Sequence, residues 1–275
     1  MSHSTTKTAP ERSGDPLFGV VVGLYLALLI VPPVVFVVGR FVSADPAGRY
    51  VTAVVTAAVV LGLGWLVTEH ADGLAPRVGA TRLRWALAAV PVGYAAAGFA
   101  SLGRTGAVGV VAFFFGVGAM TVGFVLGVMT GTRHADATLD GIDVEREFRA
   151  GWPSDARRRL GIVAGAVTVA AGCCFVAGVF TDWFPLQAVG QILVPVGIAS
   201  YSSTETRTFT ASAAGLEQRL PVARRLVPWD AFEGYTRTDD ALVLHRQWGV
   251  DTRLAVSDLD DPDAVERAIA RYLPA

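Results

Sequence analysis

The sequence predicts an all-α transmembrane bundle of six helices, followed by a small β-rich α+β domain that ends in a helix. Three observations predict it. Six apolar runs contain no Asp, Glu, Lys, Arg or His. Only 17% of the 275 residues are charged and 52% are hydrophobic, against about a quarter charged in an average soluble domain. From about Ser203 the apolar runs shorten and charges alternate with them.

The six runs are 17–39, 51–68, 85–102, 107–130, 160–180 and 186–202. Each is close to the 17–25 residues that cross a hydrocarbon layer of about 30 Å as a helix. Only a helix satisfies every backbone group within such a run. The first run is too long for a signal peptide and lacks a small-residue cleavage site, so it is expected to be retained. Met1–Asp15 is polar, small and Pro-containing, and is expected to be a disordered tail. Pro32–Pro33, Pro91 and Pro195 fall inside spans, where they kink a helix or are simply tolerated.

Charge fixes an orientation. Under an arrangement with both termini in the cytoplasm, the second and fourth loops are inside and hold nine Arg, against three in the first, third and fifth loops. That bias predicts a cell-membrane protein with cytoplasmic N- and C-termini. Arg157–Arg159 is the strongest anchor, and Tyr50, Trp65, Trp85, Trp183 and Phe184 fall near the expected interfaces. Lys7 is the only Lys, and the polar carboxylates are mostly Asp, a bias that suits a GC-rich genome and a salt-loving organism. The net charge of −1 argues against nucleic acid as a partner.

Small residues let membrane helices approach. Gly19/Gly23, Gly123/Gly127 and Gly161/Gly165 have this spacing and favour a compact bundle or a homo-oligomer. The chemistry-bearing residues are sparse. Cys173–Cys174 lacks the gap of a metal or redox pair, and His3, His70, His134 and His245 permit no HExxH. No catalytic residue, metal ligand or cofactor motif is expected. Glu69 and His70, just past the second span, form an interfacial polar pair, but adjacent helical residues point about 100° apart.

The fourth loop, 131–159, is the longest. Val144, Phe148 and Trp152 are four apart, as on one side of a short surface helix that Pro153 would end, with Arg146 and Arg149 near lipid head groups. A solvated connector packed on the tail domain is the other reading. In the tail, strands are expected at 208–210 and 216–220 around a turn at 213–215, and an extended stretch at 224–229. A hairpin of 232–238 and 241–247 turns at Asp239–Asp240, and a last strand covers 253–256. A helix then starts where Asp261 can cap and Pro262 suits the first position. Val265, Ile269, Tyr272 and Leu273 make its apolar face.

The stretch FTASAAGLEQRLPVARRLVPWDAFEGYTRTDDALVLHRQ and the terminal helix resemble the small pleckstrin-homology-like domains of prokaryotic multi-pass membrane proteins, of a haloarchaeal type by composition. The Pro228, Trp229 and Phe232 step after an Arg-rich strand carries the resemblance, which covers about a quarter of the chain. Roughly 70 residues are few for seven strands plus a helix, so the sheet is either truncated or completed by another chain. The resemblance implies a cytoplasmic binding or assembly module covering 203–275, not a catalyst. Arg219, Arg224 and Arg225 are the candidates for contact with an anionic head group or a protein partner. The alternative function is a transporter or channel for a neutral or apolar solute, with a central cavity lined by Gly, Pro, Thr and Ser.

Overall fold

The computed structural model describes residues 16–274 apart from 43–44, 72, 106, 203–204 and 221–222. The tail expected at Met1–Asp15 lies outside the described residues. The chain divides into two units, 1–137 and 138–275. Among the described residues, six helices are long and apolar enough to cross a membrane.

The first unit holds α1 (Pro16–Phe41), α2 (Pro46–His70), the short α3 (Leu74–Ala80), α4 (Ala86–Thr105) and α5 (Ala107–Leu139). Asp45 caps α2 by accepting a hydrogen bond from the Gly48 amide at 3.1 Å, with Pro46 at the first helical position. α1 runs through Pro32–Pro33 as one helix. Glycines bring α1 and α2 together. A Cβ on Gly23 would lie 2.8 Å from the Leu61 carbonyl oxygen, and one on Gly64 would lie 2.5 Å from the Gly23 Cα. No larger side chain fits this seam. α5 continues nine residues past the expected end at Thr130, through a stretch that contains no Pro. There the Arg133 guanidinium lies 4.4 Å from the centre of the Phe18 ring.

The second unit begins with a correction. Val144–Ala150 is not a surface helix but a strand, β1, followed by α6 (Ser154–Phe180) and α7 (Phe184–Ser202). Pro153 does not end a helix; it sits at the start of α6. The tail supplies β2 (Arg207–Ser212), β3 (Gly215–Leu220), β4 (Ala223–Val227), β5 (Phe232–Arg237), β6 (Ala241–Arg246), β7 (Thr252–Ala255) and α8 (Pro262–Ala270). The antiparallel orders are β1-β2-β3-β4 and β5-β6-β7. β1 therefore completes the sheet from within the same chain. Its inward residues alternate, as the pleat demands: Phe148 is stacked on Phe209 with ring centroids 5.7 Å apart, and Ala150 is fully enclosed.

Both sheets and α8 share one apolar core, built from Phe148, Phe209, Leu216, Phe232, Leu244, Leu254, Val265 and Ile269 among others. Asp261 caps α8 by accepting from the Ala264 amide at 3.0 Å. Two clasps hold the helix down. Arg237 on β5 reaches both Asp263 and Glu266 of α8. Arg271 and the Tyr272 hydroxyl, just past α8, meet Glu145 on β1. The Trp229 indole stacks on Tyr272 at 5.0 Å and donates to the Ser212 carbonyl at 2.9 Å.

Candidate functional site

The three arginines singled out from sequence do not form one group. Neighbouring residues in a strand point to opposite faces, so Arg224 and Arg225 part company. Arg219 and Arg224 lie on the outer face of the four-stranded sheet, where both guanidiniums reach one Oε1 of Glu217, at 3.2 and 2.5 Å. Arg219 also faces Glu147 at 3.7 Å. Glu217 is only 1% exposed. Burial pushes its pKa up, but the hydrogen bonds and charges of Arg224 and Arg219 outweigh burial and hold it below the usual carboxylate range. These two guanidiniums are engaged in holding a buried carboxylate.

Arg225 belongs to a different place. The register pairs Phe209 with Gln218 and Gln218 with Arg225, and all three line a recess of about 340 Å³. Arg207, Arg246 and Arg253 line it too, with Glu205 and Asp251 as the carboxylates. Gly151 and Trp152 lie at its edge, directly before α6, and Glu205 and Arg207 follow closely after α7. The recess therefore opens beside the points where two membrane-length helices join the β-domain.

Local bonds fix its walls. Arg207 donates to the Ser202 carbonyl at the end of α7, at 3.2 Å. The Gly151 amide donates to Asp258 at 2.9 Å and the Gly151 carbonyl accepts from Ala255 at 2.9 Å, tying the β1–α6 junction to the end of β7. Arg246 donates through Nε to Thr252 and stacks over Phe232. Burial lowers the pKa of both Arg207 and Arg246, while Glu205 and Asp251 respectively oppose that effect. Asp251 accepts from the Arg246 amide at 3.1 Å and pairs with His245 at 3.2 Å; the backbone hydrogen bond is the larger cause of its lowered pKa.

Sequence reasoning missed Arg207, Arg246 and Arg253; Arg207 on β2 is distant in the chain from the other two, on β6 and β7, and all three meet Arg225 only through the fold of the two sheets. It also missed a chain of hydrogen bonds on the three-stranded sheet, Thr236 Oγ1 to His245 Nε2 at 2.9 Å and His245 Nδ1 to Asp251. The order resembles a hydrolytic triad, but here the exposed imidazole links two strands to the β6–β7 turn.

Glu69 and His70 end α2 with exposed side chains, and His70 Nδ1 is taken by the Leu66 carbonyl at 2.9 Å. The first unit also holds an apolar cavity of about 530 Å³ lined by Pro32, Pro33, Phe36, Tyr94 and Val111, with Arg40 and Arg49 at its edge. It lies along the last third of α1, and its lining is mainly Val, Phe and Pro rather than Gly, Thr and Ser. Comparison with protein-family models, with curated proteins and with solved structures finds no match for this chain.

Proposed function

We propose that this chain is a multi-pass protein of the cell membrane with both termini in the cytoplasm, and that its β-domain is a PH-like binding module rather than a catalytic centre. The observation that carries the reading is the split construction of that domain. Its edge strand β1 precedes α6 and the remaining strands follow α7. Two chain connections hold such a module against the membrane surface, where a one-segment domain would swing on a single linker. Seven strands and a closing helix supply what the tail alone lacks for the PH-like count. Nine Arg in the even loops against three in the odd ones support the cytoplasmic side.

The test is cysteine accessibility in intact cells. Asp239→Cys, in the exposed β5–β6 turn, and Thr181→Cys, between α6 and α7, are each placed in a Cys173→Ala/Cys174→Ala background. The expected result is that an impermeant maleimide labels Thr181→Cys from outside and Asp239→Cys only after permeabilisation. Labelling of Asp239→Cys in intact cells overturns the reading.

A further inference from the structure

The β6–β7 hairpin tip is apolar where a water-facing turn would be polar. Trp248 is 74% exposed and Val250 is 71% exposed, around Gly249 with φ of 100°. This tip lines the same recess as Arg207, Arg225, Arg246 and Arg253. Exposed Trp is favoured at the lipid–water interface, where its ring sits at head-group depth. Arg presents a planar fork that matches phosphate oxygens. Two exposed apolar side chains at a recess lined by four Arg match the two parts of a phospholipid, its acyl chain and its phosphate.

The charge balance supports an anion. Four Arg line the recess against two carboxylates, Glu205 acting on Arg207 and Asp251 on Arg246, so its lining carries an excess of positive charge. The position supports a lipid as its source. The recess is bounded by Trp152, just before α6, and by Arg207, whose guanidinium holds the last turn of α7.

We infer that the recess between the two sheets binds the phosphate of an anionic phospholipid in the adjacent leaflet while Trp248 and Val250 enter the interface. This rests on the proposed membrane-surface module and names its ligand. The outer-face pair Arg219 and Arg224, held by Glu217, is not part of it.

The experiment uses the full chain in nanodiscs, with a nitroxide on Val250→Cys in the Cys173→Ala/Cys174→Ala background. Discs of neutral phosphatidylcholine are compared with discs containing phosphatidylglycerol. In anionic discs the label becomes protected from a water-soluble nickel complex and accessible to oxygen. Arg207→Gln and Arg253→Gln each lower the ratio of inserted to water-exposed label about fivefold, which is about 1 kcal/mol per basic residue near an anionic surface. Arg219→Gln leaves the ratio unchanged. A label equally water-exposed in both discs overturns the inference. So does a loss with Arg219→Gln equal to that with Arg253→Gln, which would mean diffuse attraction. Protection in neutral discs by inorganic phosphate or a phosphopeptide alone also overturns it, in favour of a soluble anion. Nanodiscs present both leaflets, so these outcomes do not depend on the topology tested with Asp239→Cys.

Discussion

At the scale of single residues, Glu217 shows why identical side chains have different prospects. A carboxylate with 1% exposure is tolerated only because two guanidiniums meet it. Removing its charge leaves Arg219 and Arg224 facing each other across the sheet. Glu217→Gln is expected to cost about 1–2 kcal/mol, since the arginines stay partly hydrated. The folded pKa lies below the unfolded one, so the stabilisation is fully present above the ordinary glutamate value. It is lost as pH falls through the lower folded value. Thermal unfolding of the purified protein between neutral and acid pH checks this. The variant lacks the part of the acid destabilisation that the wild type shows below about pH 4. Equal pH profiles would show that Glu217 does not carry that term.

At the scale of elements, most of the architecture was legible. The charge-free runs marked the long helices, and period-2 alternation with turn residues marked β2 to β7. Asp261–Pro262 marked α8. β1 was misread because Val144, Phe148 and Trp152 satisfy a helical spacing, while the strand's own alternation of Val144, Arg146, Phe148 and Ala150 is broken by an arginine. The register shift between Val144 and Arg146 lies at that break. Nothing local marks a strand whose partner lies some sixty residues on, because its inward face is defined only by Phe209 and Ala211 across the ladder. Small-residue spacing was legible in part. Gly19/Gly23 does form a seam, whereas a Cβ on Gly165 would meet nothing within 4 Å among the described residues. Gly64→Val is expected to destabilise the first unit by at least about 1–3 kcal/mol through overpacking, and Gly165→Ala to be neutral or slightly stabilising. Unfolding midpoints in detergent separate the two; equal effects would contradict the seam.

At the scale of the whole molecule, the recess explains why the candidate site was only partly readable. Arg225 was visible as one of a basic run, but its useful neighbours come from β2, β6 and β7, and their convergence is a product of pleat and topology. The same topology adds a strand from outside residues 203–275 to their sheet. Phe148 and Ala150 belong to the core that those residues share with β1. The most direct test of this split construction is a cross-link between β1 and β2. Arg149 and Thr208 are Cα partners across the ladder, and facing strand residues fall within the Cα separation a disulfide accepts. Arg149→Cys/Thr208→Cys, in the Cys173→Ala/Cys174→Ala background, is oxidised in membranes and cut at a protease site engineered between α6 and α7. With β1 paired to β2, the two fragments are expected to stay joined until reduced. Fragments that separate without reductant, while a Thr208→Cys/Arg219→Cys pair between β2 and β3 does bridge, would contradict it.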